Sequence, residues 1–283
     1  MSNMYDPKFG LSVSYQANAT PEEYVGHLKR FGFTAVELNV PYIEKHADGI
    51  SLFRDELRRL SCHLPHDRPH KALASDPAED ARVLERQKRN IELAASVGCR
   101  TFVFHLGNVV GQRLEDYWER SVVFARRLGE LARQVDSVVG VENCLPVVGR
   151  AEVARRFLDA VDHENLGMTL DTGHFWSILQ ENDVGRHKEN PLKCTDEGNR
   201  LLNTMCTDMA RTVNTKIFNI HIHNLRYEDW KDHQPVDHGV MQYDDLFAVL
   251  EQQNYDRAVI IEIGSDGDWS GFESSAAYLQ RFA

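Results

Sequence analysis

The chain has 283 residues, 42% of them hydrophobic and 27% charged, with a formal net charge of −11, a length and balance that suit one large α/β core in a single domain. The acidity is spread along the chain instead of gathered in a tail, which opposes a surface that must neutralise phosphates, so nucleic acid is not an expected partner. No apolar run approaches the roughly 18 to 20 residues that span a bilayer, the opening MSNMYDPKFG lacks the basic and apolar parts of a signal peptide, and the five cysteines (Cys62, Cys99, Cys144, Cys194 and Cys206) lack the paired spacing of a zinc or redox motif, which points to the cytoplasm.

Strand and helix patterns alternate along the chain. Phe9 to Tyr15 reads as a first strand, and Thr20, Pro21 and Glu23 supply the N-cap, first-turn proline and capping-box acid of a helix that runs to Phe31 and stops at Gly32. Thr34 to Asn39 is the second strand, and a short helix around Ser51 to Arg59 leads to the third, Leu60 to Pro65. An amphipathic helix from Pro77 to Val97 sets Ala81, Val83, Leu84, Ile91, Leu93 and Ala94 against a charged face and ends at Gly98. Strand four is Thr101 to His105, followed by a helix from Leu114 to Val135; strand five is Val138 to Glu142, followed by a helix from Ala151 to Val161; strand six is Leu166 to Asp171. The polar stretch from Ser177 to about Cys194 has no clear period and reads as a long loop over the rim, the best candidate for a lid, before a helix from Asp196 to Val213. Strand seven (Lys216 to His221), a helix from Tyr243 to Gln253, strand eight (Ala258 to Glu262) and a last helix from Phe272 to Phe282 complete the series. Eight strands each followed by a helix, with no repeat or linker between them, predict a closed (β/α)8 TIM barrel as one domain over residues 1–283.

These strands finish in metal-type side chains: His66, His105, Glu142, Asp171 with His174, His221 and Glu262, with Glu37 at the same place on an earlier strand. In a parallel barrel such ends meet at the C-terminal rim, so the pattern predicts a divalent metal there. A lone histidine at a strand end is more often a hydrogen-bonded pocket residue, and it is the convergence that favours metal.

The strings LPHD (64–67), FHLGN (104–108), VEN (141–143), LDTGH (170–174), HIHN (221–224) and IIEI (260–263) follow one another, one to a strand, over nearly the whole chain. As an ordered set they resemble the xylose isomerase-like TIM barrel superfamily, which holds sugar and sugar-phosphate isomerases and epimerases together with endonuclease IV. The resemblance is specific for the superfamily and much less so for a reaction. From the epimerase branch it implies metal ligation by Glu142, Asp171, His221 and Glu262, a set of three carboxylates and one imidazole that suits Mn²⁺, Zn²⁺, Mg²⁺ or Co²⁺ and leaves positions for two adjacent sugar oxygens. One ion is expected and two are allowed for. From the endonuclease branch it implies that His66, His105, His174 and His233 hold a second metal or the substrate, while Lys231 stands where that branch has an aspartate, which leaves a third ion without its ligand unless Asp232 substitutes.

Several neighbours carry weaker expectations. His223 lies on the same strand face as His221, which is preferred as ligand because HIHN aligns with the family's His-x-x-Asp pattern. His63 is expected to point away from the site, His70, His163 and His187 to be solvated loop residues, and Glu37 to be a buried structural partner. Arg226 is read as a contact to a distal hydroxyl or phosphate, and Trp176, with Trp230 and Phe175, as rim residues able to pack on a carbon skeleton.

Neither a G-x-S-x-G elbow, a Walker loop nor a strand-borne G-x-G-x-x-G occurs, so catalysis is expected from metal and carboxylates. The leading expectation is an isomerase or epimerase of a small sugar or related hydroxy-carbonyl compound. In it the metal acts as Lewis acid for an enediolate while Glu142 and Glu262, on opposite sides of the substrate carbon, take and return the proton. The alternatives are a zinc phosphodiesterase of the endonuclease IV type acting on abasic DNA, a lyase or dehydratase using the same site, and a non-catalytic subunit that needs a partner; a homo-oligomer is compatible with any of them.

Overall fold

Eight parallel strands pair in sequence order and close on themselves: β1 (Lys8–Ser12), β2 (Ala35–Asn39), β3 (Arg59–His63), β4 (Thr101–Phe104), β5 (Val138–Glu142), β6 (Leu166–Asp171), β7 (Ile217–Ile222) and β8 (Ala258–Ile261), with β8 returning to β1. This is the (β/α)8 TIM barrel that the alternation predicts. The computed structural model describes residues 5–14, 16, 18–66, 76–107, 112–144, 147–180, 189–264 and 268–283, so His70 and His187 lie outside it.

The outer ring comprises α1 (Pro21–Phe31), α2 (Val40–Lys45), α3 (Ser51–Glu56), α4 (Glu79–Ser96), α5 (Leu114–Arg133), α6 (Ala151–Val161), α7 (Phe175–Gln180), α8 (Asp196–Val213), α9 (Asp244–Gln252) and α10 (Ser270–Leu279). Local chemistry sets their ends. Thr20 closes a capping box with Glu23 at the start of α1, and Gly32 takes the left-handed C-cap conformation at φ 72°. Two short helices escape the sequence reading. In α2 the strand gives way to helix without a gap, through Asn39 as N-cap and a proline in the first turn. In α7 a single helical stretch begins the segment read as a loop; residues 181–188 lie outside the described part, so the lid is not tested. Among the described residues no helix is long and apolar enough to cross a membrane.

Strand residues alternate between two environments, as a period of two requires. One row packs outward on the helices: Leu60, Cys62 and Leu64 of β3 and its extension, like Phe102 and Phe104 of β4, belong to the large apolar core. The other row fills the barrel. At its lower end Ala35, Ala258 and Ile260 form a separate small apolar cluster. Above them the filling turns polar: Glu37, fully buried, accepts hydrogen bonds from Ser61 Oγ (3.0 Å) and Asn219 Nδ2 (2.8 Å) across the barrel. That layer is the floor of the site.

Candidate metal centre

Strand register brings the rim residues to one height. Asp171 of β6 lies beside His221 of β7 in the ladder, Glu142 ends β5, and Glu262 follows β8 directly. His221 is the hub. Its Nδ1 is 2.9 Å from Glu262 Oε2, 3.5 Å from Glu142 Oε2 and 3.9 Å from Asp171 Oδ2, and the ring is fully buried. Both ring nitrogens of His221 lack an aligned hydrogen bond among the described residues despite these short distances. Donor atoms bound to one ion at about 2.1 Å stand about 3.0–3.4 Å apart and aim at the ion instead of at each other. Glu142, Asp171 and His221 therefore lie close enough to hold one divalent cation, with Glu262 adjoining them through His221, and a buried cluster of three carboxylates is otherwise costly to hold ionised.

Each carboxylate is held by its own framework. Asp171 is latched to Asn143 by two bonds, Asp171 N–H to Asn143 Oδ1 (2.6 Å) and Asn143 Nδ2 to Asp171 O (2.9 Å). Its Oδ1 accepts the backbone N–H groups of Gly173 and His174, both at 2.8 Å, and lies 3.0 Å from His223 Nε2. Oδ2, which also lies 3.1 Å from His223 Nε2, is the oxygen that faces His221 and the hub. Glu142 is ringed by imidazoles: His105 Nε2 at 2.9 Å and His63 Nε2 at 3.5 Å from Oε2, and His174 Nδ1 at 2.9 Å from Oε1.

Charge follows from these contacts. Burial alone would raise the Glu142 acid, but His105, His221 and His174 outweigh it and hold the carboxyl well below its ordinary range. Glu262 is likewise pulled down, to about 2, against burial by His221. Burial disfavours charge on His174 and His63, yet Asp171 and Glu142 push the first up to about 10 and Glu142 pushes the second up to about 9. His105 and His233 go the other way, burial lowering both.

The sequence model of the family described as Xylose isomerase-like TIM barrel matches residues 25–282. The chain belongs to that family. Solved barrels of similar shape include a D-tagatose 3-epimerase-like protein (TM-score 0.70, 17% identity, covering 97% of this chain and 96% of that one). D-psicose 3-epimerase with D-tagatose from Clostridium cellulolyticum H10 is similar at a TM-score of 0.72 and 14% identity, covering 97% and 98% of the two chains. The probable 3-DHS dehydratase AsbF, involved in petrobactin synthesis in Bacillus anthracis, is similar at 0.71 and 15%, covering 96% and 98%. No curated protein matches the sequence.

Around the rim the structure differs from the sequence expectation in three ways. His63 does not point away: Ser61 faces the interior, so His63 two residues on must face it too, and its ring meets those of His66, His105 and His221 at 5.2, 4.9 and 5.8 Å. The alternation of LSCHL carried that signal; counting back from His66, which follows the strand, missed it. His66 stacks on His105 at 4.2 Å at the exposed edge of this group. His163 is not a free loop side chain but half-buried, accepting the Asn165 N–H at 3.2 Å.

The second difference lies on the opposite flank, where His174, His223 and His233 gather. Asp232 does not supply the missing aspartate: its Oδ2 accepts from Trp176 Nε1 at 3.1 Å. His223 takes that place in space, but both its nitrogens are engaged, Nδ1 by the His233 N–H (3.0 Å) and Nε2 by Asp171. Nδ1 also lies 3.3 Å from Asn224 O, but in its shorter contact, with a backbone N–H that can only donate, it accepts, which leaves the Nε2 proton for the Asp171 carboxylate. In this arrangement His223 orients the Asp171 carboxylate. His233 itself is held with φ 54° by its Nδ1 bond to Glu262 O (2.9 Å).

The third concerns the substrate contacts. Arg226 is exposed and paired with Asp229 (Nε to Oδ1, 2.9 Å) three residues on, so it is corrected from a pocket residue to a surface turn. Trp230 is buried and bonds Asn199 Oδ1 at 2.9 Å, a packing role, as is that of fully buried Phe175. Trp176, half-buried beside Asp232, stays at the rim.

Proposed function

We propose that the protein is a divalent-metal-dependent isomerase or epimerase of a small sugar or related hydroxy-carbonyl compound. The observation that carries this reading is the convergence of Glu142, Asp171 and Glu262 on His221 Nδ1, at 2.9–3.9 Å and without aligned hydrogen bonds between them. These four residues would hold the ion, which when bound supplies Lewis-acid polarisation of a carbonyl and its neighbouring hydroxyl. The remaining steps belong to the chain. Glu142 and Glu262 come from β5 and from the end of β8, separated around the rim by β6 and β7, so they can address a substrate carbon from two sides. One removes the proton beside the carbonyl to give the enediolate and the other returns a proton to the opposite face, which inverts the centre; return to the adjacent carbon isomerises it. His174 and His66 are suited to substrate oxygens, and Trp176 to the carbon skeleton. Several barrels of similar shape are sugar 3-epimerases or proteins like them, which supports the substrate class.

A second reading rests on one observation: His63, His66 and His105 gather against Glu142, the donor set of a second ion, and a pair of ions bridged through Glu142 is the equipment of hydrolysis. Metal analysis with a solvent-exchange assay separates the two. One ion per chain, with deuterium from solvent entering a ketose next to its carbonyl, is the expected result. Two or more ions together with cleavage of abasic DNA would overturn the isomerase reading.

A further inference from the structure

Among the described residues, Glu37 is the one fully buried carboxylate near the hub that is assigned no part in the proposed chemistry. It projects from β2, across the barrel from β7, and its Oε1 lies 2.8 Å from His221 Nε2, the nitrogen on the far side of the ring from the cluster. Its other oxygen is fixed by two donors, Ser61 Oγ and Asn219 Nδ2, at 3.0 and 2.8 Å, so the carboxylate cannot turn away from the ring without breaking both. Neither Glu37 Oε1 nor His221 Nε2 makes an aligned hydrogen bond among the described residues, so what joins them is their 2.8 Å approach.

We propose that Glu37 is a positioning residue for the metal centre: from below the ring it holds the His221 proton on Nε2 and so leaves Nδ1 bare toward Glu142, Asp171 and Glu262. This rests on the metal reading above. The chemistry is that of an imidazole with two inequivalent nitrogens. A neutral ring carries one proton, the nitrogen without it is the ligand, and a carboxylate facing one nitrogen decides which. Glu37 meets the ring at Nε2 while Glu142, Asp171 and Glu262 meet it at Nδ1. One oxygen each of Glu37 and Glu262 and a His221 nitrogen also lie within 4.8 Å of one another, so a direct ligand role for Glu37 through Nε2 is the alternative that the zinc-loaded spectrum decides. Ser61 and Asn219 act through it, as the two donors that fix the carboxylate's orientation.

Glu37→Gln inverts the device with little change in shape. Its amide oxygen would take over the bonds from Ser61 and Asn219, which turns the NH2 group toward His221 Nε2. That nitrogen must then accept, and the proton moves to Nδ1. The test is zinc affinity of the full-length protein, by competition with a chromophoric chelator, alongside ¹⁵N spectra of the imidazoles. The expected result is a loss of about 10- to 100-fold in zinc affinity for Glu37→Gln, as for other partners of metal-bound histidines, with the Nε2–H form of His221 lost. Asn219→Ala, which only loosens Glu37, should weaken binding by a smaller factor and serves if Glu37→Gln does not fold. Wild-type affinity and an unchanged His221 tautomer in Glu37→Gln would overturn the proposal, as would a zinc-loaded spectrum with His221 bound through Nε2. If wild-type protein takes up no zinc, the metal reading fails by itself, and spectra taken at a pH high enough to remove the second proton that the surrounding carboxylates hold on His221 still decide whether Glu37 sets the remaining one on Nε2.

Discussion

Gly173 stands where any side chain would strike His223: a Cβ built there lies 2.1 Å from His223 Cε1. The ring cannot yield cheaply, because it is bonded at both nitrogens, and Tyr243 Oη clamps its carbonyl at 2.6 Å. Gly173→Ala should therefore displace His223 from Asp171. We expect a loss of about 1–3 kcal/mol in stability and weaker metal binding together; calorimetry with a metal titration that finds both at wild-type values would refute this account of the LDTGH motif. Glu142 and Glu262 call for a simpler test. On the proposed mechanism either change to glutamine removes a ligand charge and a proton-transfer group, so each should abolish turnover, and substantial activity in both variants would dispose of the paired-carboxylate mechanism.

Among the elements, the strands do most to build the site, through parity. Ser61 and His63, Asn219 and His221, and Thr169 and Asp171 are pairs two residues apart on single strands, and one-residue slips in register would send a whole row into the helix layer. The connection after β7 is stiff for a different reason. Asn224 and Gln234 form a bridge, and Asn224 also bonds to Val236 O, Met241 O and Met241 N. Within it Trp230 and His233 adopt φ 56° and 54°, a conformation uncommon for bulky residues that persists only where surroundings over-determine it. Helices contribute stability with little influence on the chemistry. Thr20→Ala at the capping box of α1 should cost about 1 kcal/mol and leave metal affinity unchanged; a drop in affinity measured by the same titration would show the helix coupled to the rim.

For the molecule as a whole, the shifted groups predict opposite pH trends for metal-free and metal-loaded protein. His63 and His174, raised from 6.5 to about 9 and about 10, add stability that is complete below 6.5 and is lost as pH climbs through those values. Glu262, lowered from 4.5 to about 2, adds stability that is complete above 4.5 and is lost as pH falls toward 2. These three groups together favour the metal-free fold most between pH 4.5 and 6.5, while His105 and His233, lowered by burial, oppose folding as pH falls below 6.5. A bound cation must displace protons from its ligands and from the imidazoles around them, so its contribution grows as pH rises. Thermal melts of chelated and metal-replete protein should show a larger metal-induced Tm gain at about pH 8 than at about pH 6; a larger gain at the lower pH would mean that the cation does not compete with these protons.

The alternation of apolar strands and capped helices is local, and it was enough to predict the eight-stranded barrel and most element bounds, with Val138–Glu142, Ala151–Val161, Leu166–Asp171 and Asp196–Val213 unchanged in the structure. Period-two alternation also carried the inward row, so the rim candidates were legible as a set. What the chain could not show along its length was the partner of each side chain. Glu37 meets His221, 184 residues further on, only because barrel closure faces β2 toward β7. Arg226 and Asp232 follow strand seven like site residues, yet the turn spends the first on Asp229 and the second on Trp176. Which nitrogen of an imidazole faces the cluster, and which carboxylate lies behind it, is set by contacts across the closed barrel, and no spacing along one strand encodes them.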